Sequence, residues 1–172
     1  MARKKVARAT VEGESVVLTL NPDPLEKLKS DVANFSLGIK DEKGKTFQQW
    51  EADKLDMLDL LRHYTTQELD ESPGVIAGDV RKCDAWLAFA LTASGQARTF
   101  EKRGLALARL RAGEHLSPSE AKDVASAAMW RLTQARESWE AMETALKEKL
   151  WSARAILKKE TAEIEASRAV KG

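Results

Sequence analysis

The chain has 172 residues, 28 Lys and Arg against 27 Asp and Glu, and a formal net charge of +1. That length suffices for one domain with a real core, and the charge balance excludes both a polyanion mimic and a strongly basic nucleic-acid binder. A single cysteine, Cys83, excludes an intramolecular disulfide, and the longest apolar run, Ala85 to Leu91, is far short of a membrane span.

From the N-terminus, Val6 to Val11 and Ser15 to Leu20 read as strands around a tight Glu12-Gly13-Glu14 turn, with Val16, Leu18 and Leu20 on one face. Pro22 and Pro24 end the second strand, and Pro24 to Lys29 fits a short helix with Pro at its first position. Ala33, Phe35, Leu37 and Ile39 alternate with Asn34, Ser36, Gly38 and Lys40, which predicts a half-buried strand. Asp41 to Gly44 then reads as a hairpin turn, with Lys45 to Phe47 returning. Residues 1–47 are therefore expected to form a small β element with a basic arm.

Residues 48–172 are expected to form a helical bundle. Trp50, Leu55, Leu58, Leu61 and Leu69 follow helical spacing from about Gln48. Ser72-Pro73 closes that helix and suits the cap of the next, which spans about 75–111. Gly78, Gly95 and Gly104 each weaken this second helix by about 1 kcal/mol relative to Ala and are candidate kinks. Ser117-Pro118-Ser119-Glu120 is a strong start signal, with a capping Ser, Pro at the first position and Glu reaching back to the cap. No Gly or Pro follows until residue 172, so 118–168 predicts one helix of roughly 75 Å. The expected fold class is mainly α: a long antiparallel helical hairpin plus a third helix, coiled-coil-like, with a small N-terminal β element.

Motifs with chemistry are sparse. Gly38 to Thr46 resembles a phosphate-binding loop only in outline, because five residues rather than four separate its glycines and Asp41 and Glu42 would repel phosphate. The two histidines, His63 and His115, fall in different elements, and Asp59 with His63 reads as a surface pair rather than a metal site. Cys83 lies near an apolar stripe and reads as a core residue. No catalytic residue, cofactor or metal is assigned.

Five tryptophans carry more information. Trp130 and Trp139 are nine residues apart and fall on different helix faces, so one tryptophan of the last helix should point away from its hairpin partner, either as a ring on the surface or as a contact for another protein. The second hairpin helix is shorter than the third, which leaves the third helix's end in need of cover. Trp139, Leu150, Trp151, Leu157 and Ile164 are the resulting contact candidates. A separate stripe of Arg98, Lys102 and Arg109, with Arg3, Lys4 and Lys5 in the arm, fits phosphate contacts. The simpler expectation is that the acid-rich first helix packs against that stripe. The sequence thus points to a non-enzymatic structural or adaptor subunit, self-associating or docking on other proteins, cytoplasmic or inside a particle, with neither membrane nor small-molecule substrate. A nucleic-acid-binding accessory protein is the alternative.

Overall fold

The computed structural model describes the backbone of residues 6–11 and 14–19, and residues 24–72 and 74–171. The turn expected at residues 12 and 13, and Arg3, Lys4 and Lys5 of the basic arm, lie outside the described residues. Strands β1 (Val6–Val11) and β2 (Glu14–Thr19) pair antiparallel, Val6 opposite Thr19 and Val11 opposite Glu14. From residue 24 onward the described chain is helical with short connections.

Helix α1 (Pro24–Leu37) takes the Ala33–Leu37 part of the strand expected over Ala33 to Lys40. Alternation was the wrong period there: Leu28 and Val32, one helical turn apart, pack with Ala33 and Leu37 on the core, and Val32 is fully buried. The charged turn does form. Asp41 Oδ1 accepts from the backbone N–H groups of Lys43 and Lys45, each at 2.9 Å, and Gly44 takes a left-handed φ of 77°. Of the returning strand only an isolated Lys40–Thr46 bridge remains, because Thr46 becomes a helix cap.

Helix α2 (Phe47–Thr66) starts from a capping box: Gln49 N–H donates to Thr46 Oγ1 at 3.3 Å, and Thr46 N–H donates to Gln49 Oε1 at 2.9 Å. Phe47 is fully buried at the first position. At the other end, Lys149 Nζ donates to the Gln67 carbonyl and so occupies an acceptor the helix leaves open.

Helix α3 (Val75–Gly113) is not capped by Ser72 as its sequence suggested. The Ser72 N–H donates to Asp70 Oδ1 at 2.9 Å, forming a turn, and the N-cap falls on Gly74 at a φ of 86°, where a side chain would be strained. The helix runs unbroken through Gly78, Gly95 and Gly104. Gly104 has a packing reason. A Cβ there would stand 2.3 Å from Leu132 Cδ1 and 3.3 Å from Met129 Sδ.

That close approach coincides with a correction. The single helix expected over 118–168 is two helices, α4 (Pro118–Ala128) and α5 (Trp130–Lys171), divided at Met129 with φ −98° and ψ 13°. The Leu132 N–H donates to the Met129 carbonyl at 3.0 Å, an i to i+3 bond that tightens the chain locally. No Gly or Pro marks the bend; burial of Met129 and Leu132 against α3 accompanies it. The cap at Ser117 is as expected, with Glu120 N–H donating to Ser117 Oγ at 3.5 Å and Ser117 N–H to Glu120 Oε2 at 3.1 Å.

Helices α3 and α5 pack antiparallel, α2 lies against α5, and α1 and α4 cover the C-terminal end of α3. The centre is aromatic: Phe47, Trp50 and Phe100 have ring centroids 5.6–5.9 Å apart, and Phe89 meets Trp139 edge-on at 5.9 Å. Trp50 Nε1 donates to Gln96 Oε1 at 2.8 Å, so its polar edge is satisfied.

Candidate interaction surface

The residues with reactive potential are taken up by packing. Cys83 is buried, and its Sγ lies 3.1 Å from the Tyr64 hydroxyl between α2 and α3. Burial, then the Cys83 contact, pushes the Tyr64 hydroxyl pKa well above the usual phenol range. Asp59 pairs with Arg62 at 3.0 Å rather than with His63. Among the described residues no group of three or more His, Cys, Asp or Glu is placed to hold a metal ion, and no helix is long and apolar enough to cross a membrane.

The basic stripe is split. Arg98 is paired, but with α5 instead of the acids of α2: its Nε donates to Glu140 Oε1 at 2.7 Å, with Glu143 at 3.9 Å. The reason is that α2 leans on α5, where Glu51 pairs with Arg131, and Asp53 turns to Lys45. Arg136 sits between Glu101 of α3 and Glu140 of its own helix, continuing the α3–α5 ladder. Lys102 and Arg109 are exposed and form no ion pair among the described residues.

The five contact candidates separate by burial. Trp139 and Leu150 are 2% and 6% exposed and belong to the core, so they offer nothing to a partner. Trp151 and Ile164 are 75% and 48% exposed, and Leu157 is partly covered. Trp151 and Ile164, thirteen residues apart on one helix, do not share a face. Of the three tryptophans of α5, Trp130 also points outward, so two rather than one are free of the hairpin.

The end of α5 outruns its partner. Equal stretches separate Arg98 from Asp84 on α3 and Glu140 from Arg154 on α5, and Arg154 Nη2 donates to Asp84 Oδ1 at 2.9 Å, so both ion pairs share one antiparallel register. Extended to Val75, that register carries α3 no further than about residue 163 of α5. Burial agrees. Among the residues of α5 whose burial is described, Ala153 is the last buried one, and every residue from 161 to 169 is exposed.

Along α3 a second uncovered surface runs the other way. Thr92, Thr99, Ala106 and Gly113 recur every seventh residue, share one face, and are all exposed. Beside the Asp41–Lys43 turn this face forms a groove of about 270 Å³ over Gly95, Gln96 and Phe100. Further along, Ala106 and Leu110 with Leu116, Pro118 and Ala121 line a shallower, mainly apolar groove. The sequence stripe of Arg98, Lys102 and Arg109 touched this surface without revealing that its central residues are small. No protein-family model matches the sequence, and no curated protein or solved structure matches it either.

Proposed function

We propose that this chain is a non-enzymatic assembly subunit that self-associates through the distal part of α5. The observation that carries this reading is the overhang: a continuous helix extends past the start of α3 with residues 161–169 exposed, Ile164 among them. An isolated helix of that length is marginal in water, so its order gains from a surface to pack against. Trp151, set on a different face, adds a large aromatic of the kind that anchors interfaces.

The experiment is mass determination by light scattering on the wild type and on Ile164→Lys with Trp151→Lys. The expected result is an oligomer for the wild type and a folded monomer of unchanged core helicity for the variant. A wild type that stays monomeric at millimolar concentration contradicts the reading.

A further inference from the structure

We infer, resting on the self-association reading, that α5 pairs antiparallel with α5 of a second copy along its outer face, Trp151 of each copy lying over Ala155 of the other. Met142, Leu146, Leu150 and Ala153 turn one side of α5 into the core. On the opposite side Ala141, Glu148, Ala155 and Ala162 recur every seventh residue. Thr144, Trp151, Lys158 and Glu165 follow each of them three residues on, and all eight are exposed. Two rows at that spacing are the seam of a two-helix coil.

Two-fold symmetry makes each contact occur twice, so the seam has to complement itself. It does so in one register. The Trp151 indole is 75% exposed, more than any other large apolar side chain described. Set over Ala155 of the second copy, it finds a methyl group that leaves room for the ring. The same register brings Glu148 to Lys158, Thr144 to Ala162 and Ala141 to Glu165. Among these pairs no bulky residue meets another and no like charges face each other. A slide of one heptad toward the C-termini would set Glu148 on Glu165, and a slide the other way would set Trp151 on Glu148.

Charge picks the same occupant. Glu148 and Lys158 form no ion pair among the described residues, and a second copy supplies each with its counter-ion. A phosphate backbone would be repelled by Glu148 and Glu165 on that seam. From Ala141 to Glu165 the seam runs about 36 Å at 1.5 Å per residue. Its two indoles alone bury about 300–500 Å², a good part of the roughly 1,200 Å² at which standard interfaces begin.

The test combines sedimentation and light scattering with cross-linking on the full chain. Glu148→Lys is expected to weaken self-association by roughly tenfold or more, and adding Lys158→Glu to restore it. Trp151→Lys alone, a change at an exposed site, is expected to give a folded monomer. Thr144→Cys with Ala162→Cys is expected to oxidise to a covalent dimer, while either cysteine alone does not. If Ile164→Lys with Trp151→Lys dissociates the oligomer while Trp151→Lys alone and Glu148→Lys leave it intact, the outer seam is overturned and self-association stands. A wild type that self-associates while the cysteine pair fails to cross-link overturns the register in the same way. If the wild type is monomeric, both fall.

Discussion

The two halves of α5 share a helix, a lack of Gly and Pro, and a similar mix of charged residues, yet they are held by different forces. In the proximal half Leu132, Trp139, Met142, Leu146, Leu150 and Ala153 recur every three to seven residues and are all buried against α2 and α3. In the distal half the same helix continues over a stretch where every residue from 161 to 169 is exposed. Helix propensity does not distinguish the halves; tertiary burial does. The proximal half is secured by burial in the fold, and the exposed end of the distal half gains no such burial within the chain.

Substitutions sharpen that contrast. The largest effect is expected at Trp139, whose ring packs edge-on against Phe89: Trp139→Ala should cost about 3–5 kcal/mol by denaturant unfolding. A loss under about 1 kcal/mol would mean that the proximal half is not the core. Next come two glycines of α3 with opposite signs. Gly104→Ala drives a Cβ into fully buried Leu132 and should destabilise by about 1–3 kcal/mol. Gly95→Ala meets open space and should stabilise the isolated chain by up to about 1 kcal/mol. Equal effects at the two sites would break the distinction between a packed and an uncovered side of α3.

At the start of α4, Ser117→Ala should cost about 1 kcal/mol in chemical denaturation, through loss of the capping box. Smallest of all, Ile164→Ala should leave the stability of the monomer within about 0.5 kcal/mol, as for exposed sites generally. Within α5, a shifted carboxylate lies in the proximal half. The Lys147 hydrogen bond holds the Glu143 carboxyl below its ordinary 4.5, against the opposing pull of burial. A depressed carboxylate pKa contributes stability that is fully present above the unfolded value and is lost as pH falls through the folded one. Thermal midpoints should therefore drop on acidification below about pH 4.5, and Glu143→Gln should flatten part of that drop.

How much of this was legible beforehand follows from which forces are local. The cap at Ser117, the charged turn at Asp41 to Gly44 and the antiparallel pairing of the long helices rest on neighbours in sequence, and they read correctly. The cap at Thr46 carried the same Thr-x-x-Gln signal and was missed, because the alternation before it suggested a returning strand. Residues 33–39 show why: Ala33, Phe35, Leu37 and Ile39 alternate, yet Phe35 ends exposed and Leu28 and Val32 set the helical period. The bend at Met129 has no local signal, since its surroundings in α3, with Gly104, lie far away in sequence. The exposure of the contact candidates was half legible. Spacing put Trp139, Leu150, Trp151, Leu157 and Ile164 on one long helix, but only the register with α3 and the position of α2 separate the buried ones from the exposed.

The central claim is that the exposed end of α5 exists to be covered by another copy. Light scattering across a concentration series measures that directly on the unmodified 19.1 kDa chain. The account predicts a mass that rises with concentration toward at least a dimer and falls back to the monomer with Ile164→Lys and Trp151→Lys. A mass that stays at the monomer value over the whole series would contradict it.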